Sequence, residues 1–246
     1  MLDAGCGAGA FLDVAAPYAA RLVGVDLSEA VEPAFQSTRR HDHVDVLQAD
    51  LMRLPFRDGE FDFVFCIGVL QHTPDPAQAF RSLARVVRPG GTLAVWMYER
   101  SRYEAFKPRH LVRRYSAGLP TEKAMPFVER WYRAGRPLRR RLRRLPGGRV
   151  LAKLIPLSEL GGYRGELADK LTPAEIEEWE LMDTHDMLVT VYDNPQTANE
   201  VARWFRREGM RPYRSREAEA IAMVGTKPAQ REREKAAMSP PTLAGT

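Results

Sequence analysis

A chain of 246 residues with 44% hydrophobic and 28% charged residues can bury a sizeable core and suits one domain with an elaboration. No apolar run approaches the ~20 residues that cross a bilayer, the start lacks a signal-peptide pattern, and the two cysteines, Cys6 and Cys66, lack metal-ligand spacing; a reduced cytoplasmic setting without a metal site is the simplest expectation. The net charge of +5 is unevenly spread: residues 1–99 hold 8 Lys/Arg against 13 Asp/Glu, residues 100–153 hold 17 against 3, and residues 154–246 hold 12 against 16, so any argument about acidic partners concerns the middle segment alone.

The first hundred residues alternate short apolar runs with amphipathic stretches. A Gly-rich turn after Leu2-Asp3-Ala4 leads into a helix from about Ala8 to Ala20. Leu22–Asp26 reads as a buried strand, and Ser28 is placed to cap a second helix. Strands follow at Val44–Leu47 and Phe61–Ile67. A helix over Pro76–Val87 puts Ala79, Phe80, Leu83, Val86 and Val87 on one face. Arg88-Pro89-Gly90-Gly91 stops it and turns the chain into a strand over Thr92–Met97. Such alternation predicts a doubly wound α/β fold, a mostly parallel sheet with helices on both faces.

After Tyr98 the pattern changes. Residues 100–190 are Arg-rich, punctuated by Pro and Gly, and mostly helical in flavour, an insert after the fifth strand placed to act as a lid. Residues 191–226 resume the α/β rhythm with a helix over Ala198–Glu208 and strands over Pro212–Arg216 and Ala220–Thr226. Polar, Pro-containing residues 227–246 read as a disordered tail. Residues 1–99 thus form the α/β core. Its first strand starts almost at Met1, which leaves open whether the start is complete.

Four features fall at strand ends, where open α/β sheets bind ligands. The first is Asp3-Ala4-Gly5-Cys6-Gly7-Ala8-Gly9, a turn that lets backbone approach a ligand closely. Gly5, Gly7 and Ala10 also satisfy a relaxed dinucleotide fingerprint, which keeps an NAD-dependent oxidoreductase as an alternative. Asp3 argues against it: a carboxylate two residues before the first glycine, where that fingerprint has a core apolar residue, can hold an ammonium group. The second feature is Asp26, able to receive both hydroxyls of a ribose. The third is Asp50, before Leu51, able to accept from an adenine amine. The fourth is Phe61–Ile67 running into Gly68-Val69-Leu70-Gln71-His72.

Together these residues resemble class I S-adenosylmethionine-dependent methyltransferases. Val69-Leu70-Gln71-His72-Thr73-Pro74-Asp75-Pro76 and Leu83-Ala84-Arg85-Val86-Val87-Arg88-Pro89-Gly90-Gly91 are similar to the small-molecule branch of ubiquinone and menaquinone biosynthesis. The resemblance covers residues 1–98 well and 197–226 in outline, and leaves the insert uncovered. It implies a seven-stranded Rossmann-like sheet with an antiparallel final strand, S-adenosyl-L-methionine as cofactor, and methyl transfer to an O, N or C atom of a small-molecule acceptor. On that basis Asp3, Gly5, Cys6 and Gly7 line the amino-acid end of the cofactor. Asp26 and Leu27 take its ribose, Asp50 and Leu51 its adenine, and Cys66 and Ile67 border the sulfonium.

Blander readings stand beside these. Asp3 also suits a strand-end turn, and Asp26 and Asp50 suit helix caps. Cys6 and Cys66 read as small packing residues rather than nucleophiles. His72, and after it His185, is a candidate general base; His72 equally suits a packed loop position. Thr184-His185-Asp186 and Tyr192-Asp193-Asn194 read as loop and cap, with a place in the substrate pocket as the alternative that the resemblance allows, and Asn194-Pro195 reads as a turn. The basic run Arg139–Arg144 is open to three readings: a solvated helix face, contact with an anionic small molecule or membrane surface, or nucleic acid. The last allows a non-catalytic or RNA-directed S-adenosylmethionine-binding module. The sequence leaves the oligomeric state unspecified.

Overall fold

The computed structural model describes residues 1–158, 172–215 and 220–229. The chain divides into two compact units, one of residues 1–100 with the chain from Asn194 onward, the other Ser101–Asp193.

The first unit is a seven-stranded sheet in the order β3-β2-β1-β4-β5-β7-β6: β1 Leu2–Ala4, β2 Leu22–Asp26, β3 Val44–Gln48, β4 Phe61–Ile67, β5 Val87–Met97, β6 Arg211–Arg214 and β7 Ile221–Thr226. Strands β1 to β5 pair in parallel, while β7 runs antiparallel to both β5 and β6. This is the doubly wound α/β fold that the alternating pattern predicts. Chain order reverses between β1 and β4, which opens a crevice at the carboxyl ends of those strands.

Period-two alternation fixes the faces. Leu2, Ala4, Val64, Cys66, Leu93 and Val95 bury one side under α3 (Pro76–Val86) and α8 (Ala198–Arg207). Leu22 and Phe65 bury the other against Leu12 of α1 (Ala10–Ala15) and Ala34 of α2 (Val31–Thr38). The side chain of Asp75 starts α3 by accepting from the N–H groups of Ala77 and Gln78, both at 3.0 Å, with Pro76 following in the first turn. Ala79, Phe80, Leu83 and Ala84 are then fully buried, each large side chain contributing about 1.5–3 kcal/mol. A capping box, Thr197 with Glu200, starts α8.

Four local expectations are corrected. The first helix is shorter than Ala8–Ala20, because Gly9 has φ +91° and Pro17 passes the chain into a 3-10 turn, Ala16–Tyr18. Ser28 does not cap α2; its hydroxyl donates to Asp26 at 2.7 Å, and the helix starts at Val31. Arg88–Gly91 end α3 without leaving the sheet. Val87 pairs with Phe61 and Thr92 with Phe63, so the extra residues form a bulge in β5. Finally, Lys227 is anchored rather than loose: its Nζ donates to the carbonyls of Ala84 (3.1 Å) and Val87 (2.9 Å). The remaining tail from 230, and Arg216 of the expected β6, lie outside the described residues.

In the second unit, α4 (Arg109–Ser116), α5 (Thr121–Leu142) and α7 (Pro173–Leu188) surround Ala124, Val128, Leu188 and Val189, and α6 (Gly148–Ala152) packs on α5. The buried Tyr132 hydroxyl donates to Glu180, and the Arg136 guanidinium lies 5.2 Å from the Tyr132 ring centre. Thr184-His185-Asp186 belong to the last turn of α7 and not to a loop. The Thr172–Glu175 capping box sets that helix, and the Thr184 hydroxyl bonds within it to the Glu180 carbonyl at 2.6 Å. Among the described residues no helix is long and apolar enough to cross a membrane.

Candidate functional site

The turn after β1 is built from three glycines with positive φ: Gly5 (+90°), Gly7 (+50°) and Gly9 (+91°), a region that side chains rarely adopt. The N–H groups of Gly5 and Cys6 both donate to the Val25 carbonyl, at 2.7 and 3.0 Å, which holds the turn against the end of β2. A Cβ on Gly5 would stand 2.3 Å from a methyl of Val69, so glycine there is also a matter of space. Among the described residues a Cβ on Gly7 would meet nothing within 4 Å, so its backbone faces open room.

Asp26 ties β2 to this turn. Its Oδ2 accepts from the N–H of Gly7 at 2.9 Å, and its Oδ1 accepts from the N–H and hydroxyl of Ser28 at 2.9 and 2.7 Å. A carboxylate offers about four lone-pair directions, so these three bonds leave little free acceptance. Leu27 beside it is 66% exposed.

Asp3 is the anomaly of the sheet. It is buried on β1 at 1% exposure, and its Oδ2 takes no hydrogen bond among the described residues. Burial, with a smaller contribution from the Asp26 charge, pushes its carboxyl up to about 7. An unpaired buried carboxylate is costly, so the position favours a proton or an incoming cation.

Asp50 ends the connection after β3 and is exposed. Its Oδ1 accepts from the N–H of Met52 at 2.8 Å, capping the 3-10 turn Leu51–Arg53, in which Leu51 is buried. The capping reading therefore describes one of its oxygens. At the carboxyl end of β4, Cys66 is fully buried and Ile67 half-buried. Burial pushes the thiols of Cys6, to about 12, and Cys66 upward, which keeps both as thiols and suits packing.

The 3-10 turn Leu70–His72 continues from β4. Gln71 within it is fully buried; its side-chain amide donates to the Gly68 carbonyl at 2.8 Å while its Oε1 takes no hydrogen bond among the described residues. Asn194 clamps this turn: its N–H donates to the Gln71 carbonyl at 2.8 Å and its side-chain amide to the Thr73 carbonyl at 2.9 Å. The sequence reading of Asn194-Pro195 as a turn omits this clamp; it gives Gln71 no role of its own within its motif and reads Ser28 only as a helix cap. A polar residue directly after the apolar pair Val69-Leu70 was the available signal for Gln71. The His72 ring is half-buried and meets Tyr98 edge-on, with centres 6.2 Å apart.

The sheet unit thus gathers Asp3, Gly5, Cys6, Gly7, Asp26, Leu27, Asp50, Leu51, Cys66, Ile67 and His72 on strands β1 to β4 or just past their carboxyl ends. His185 belongs to the helical unit, on α7, with its Nδ1 3.5 Å from Asp186. An open cavity of about 930 Å³ is lined by Met1, Arg21, Asp45, Phe61 and Asp62 near the strand beginnings, and holds none of these residues.

Residues 2–95 match the family model described as a methyltransferase domain. Over 98 residues the chain is 42% identical to a 37.1 kDa protein in transposon TN4556 of Streptomyces fradiae, a match covering 38% of this chain and 28% of that protein. It is 37% identical over 97 residues to a ubiquinone biosynthesis O-methyltransferase of Thiobacillus denitrificans, covering 37% of this chain and 40% of that one. The chain therefore spans well under half the length of these curated relatives. Among solved structures, the YcgJ protein of Bacillus subtilis superposes with a TM-score of 0.50 at 16% identity over 92% of this chain and 91% of that one, a likeness of fold.

Proposed function

We propose, taking as premise that residues 2–95 are an S-adenosylmethionine-dependent methyltransferase domain, that the whole protein transfers a methyl group to an O, N or C atom of a small-molecule acceptor. The observation that carries the reading is the pairing of a buried Asp3 oxygen, without a hydrogen bond among the described residues, with the open backbone at Gly7. Both fit an amino-acid moiety: Asp3 suits its ammonium group, and a backbone without side chains suits its close approach. Asp26 suits the ribose, with the Ser28 hydroxyl turning aside to free Oδ1, and Asp50 suits the adenine amine through the oxygen not used as a cap.

When bound, the cofactor supplies a methyl group on an already activated sulfonium. The residues of the chain then have little covalent work. Asp3 and Asp26 orient, the fully buried Cys66 and Leu70 form a dry wall, and the Asn194 clamp holds the turn that carries His72. For an oxygen or carbon acid, His72 would take the acceptor proton at a ring nitrogen. The name of the Thiobacillus relative, from ubiquinone biosynthesis, supports a small-molecule acceptor.

Two measurements test this. Calorimetric titration of the purified chain with S-adenosylhomocysteine and with NAD should give heat for the first alone; binding of NAD alone would overturn the assignment. Incubation with methyl-labelled cofactor and fractionated cell extract should place label in small, extractable molecules. Label in protein or nucleic acid would refute the acceptor class.

A further inference from the structure

The end of α5 and the segment after it form a surface that the methyltransferase reading does not use. Residues 130–158 carry ten Arg and Lys side chains and no Asp or Glu. Some of these cations are accounted for within the unit. Arg136 pairs with Glu177 and Glu180, and Arg139 donates to the carbonyls of Ile155 and Leu157. Arg140, Arg141, Arg144, Arg149 and Lys153 are exposed and make no ion pair among the described residues. Compensation of the α5 dipole explains cations in its last turn only.

Among these charges stand exposed aliphatic side chains: Leu138 (52%), Leu145 (55%), Val150 (70%), Leu151 (46%) and Leu154 (61%). A turn folds α6 back on the end of α5, with the N–H of Gly148 donating to the Leu145 carbonyl at 2.9 Å, and the Arg139 bonds fasten the following segment to α5. The aliphatic groups and the cations are therefore held in one neighbourhood of the helical unit.

We propose that this surface, residues 138–154, docks the protein on an anionic lipid bilayer. Unneutralised cations match acidic headgroups, and exposed Leu and Val side chains gain by entering the acyl boundary. A nucleic-acid surface would interleave its cations with aromatic rings on which bases stack. Residues 133–158 contain no Phe, Tyr or Trp, so aliphatic insertion favours lipid over RNA. The inference concerns the helical unit and does not depend on methyl transfer, so it can fail or stand apart from the proposed activity.

The test is sedimentation of the full chain with extruded vesicles, either pure phosphatidylcholine or containing about one third phosphatidylserine. Binding is expected to the anionic vesicles only, weakening as salt rises. Arg140→Glu with Arg144→Glu should lower the partition by at least 100-fold. Leu151→Asn with Leu154→Asn should lower it about tenfold while circular dichroism stays unchanged and binding of a single-stranded RNA probe is unaffected. No binding to anionic vesicles would overturn the proposal. So would equal binding by the Leu151/Leu154 variant, or RNA binding that withstands salt where vesicle binding does not.

Discussion

Gly5 and Gly7 share a turn and a positive φ, yet different forces require glycine at each, and Gly→Ala at both separates them. At Gly5 the new methyl would lie 2.3 Å from Val69 Cγ2, with φ at +90°. The left-handed backbone costs about 1–2 kcal/mol and forcing a methyl into packed space about 1–3 kcal/mol more. Stiffening the unfolded chain returns roughly 0.4–1 kcal/mol. Gly5→Ala should thus destabilise by about 2–4 kcal/mol. Gly7→Ala meets nothing within 4 Å, so only the backbone cost remains and the net loss should be about 1 kcal/mol or less. For a chain of this size the two should differ by several degrees in Tm, at about 2–4 °C per kcal/mol. Val69→Ala removes the two closest clashing methyls but keeps the Val69 Cβ at 2.8 Å, so it should relieve the first variant in part and not the second, giving a coupling of about 1–2 kcal/mol in the Gly5/Val69 cycle and additivity for Gly7/Val69. Ligand binding should rank the other way, because the Gly7 methyl stands in open room offered to the cofactor. Thermal melts and titration with S-adenosylhomocysteine read both rankings. Additivity of Gly5→Ala with Val69→Ala, or equal destabilisation by the two glycine variants, would refute the steric account.

Asp3 makes the protein pH-sensitive. Burial holds its carboxyl at about 7, above the ordinary aspartate value of 3.8, so the fold retains the proton longer than the unfolded chain. Its contribution to stability without cofactor is complete below about pH 4, is lost as pH rises through about 7, and amounts to up to about 4 kcal/mol. Urea melts at pH 5 and pH 8 should show the decline, and Asp3→Asn should remove it; an unchanged slope in the variant counts against the assignment. The same group predicts that S-adenosylhomocysteine binds more tightly from pH 6 to pH 8, with the trend absent in Asp3→Asn. Asp26→Ala gives up three charge-assisted hydrogen bonds and should abolish measurable cofactor binding at a stability loss of about 2–4 kcal/mol, readable in the same titration and melts. Lys227→Met removes two bonds to carbonyls at the end of α3 and should cost about 1–3 kcal/mol in denaturant unfolding. His72→Ala should slow turnover while leaving S-adenosylhomocysteine affinity unchanged; equal loss of both would assign the ring a packing role.

The sheet was legible because its signals are local and mutually consistent. β4 is an apolar run whose limits, Phe61 and Ile67, can be read directly, and the Ala79-Phe80-Leu83 face of α3 has helical spacing. What the sequence concealed depends on contacts across the chain. Ser28 has the composition of a cap, but Asp26 two residues earlier takes its hydroxyl, and the helix is delayed to Val31. The Arg88–Gly91 stretch has the composition of a turn. Pairing with β4 on one side, and hydrogen bonds between Gly90, Gly91 and Lys227 on the other, keep it in the sheet. Lys227 reads as the start of a polar tail, and only its two distant carbonyl partners show otherwise. The clamp from Asn194 to Thr73 spans 121 positions, beyond any local pattern.

The candidate site is conspicuous because its residues oppose the fold that carries them. A buried carboxyl and a buried Gln71, each with an oxygen that takes no hydrogen bond among the described residues, cost the fold free energy, and three glycines at positive φ hold a backbone path that other residues could not follow without strain. They share one unit and lie on, or just beyond, two strands that are neighbours in the sheet, β1 and β4. Random packing faults would be scattered, whereas unsatisfied acceptors beside an exposed backbone are what a ligand with donors of its own would complete. The stability deficit and the binding energy are then the same interactions counted in two states. The ligand that suits Asp3 should raise Tm more in the native chain than in Asp3→Asn at pH 8, and equal stabilisation of both would separate Asp3 from the site.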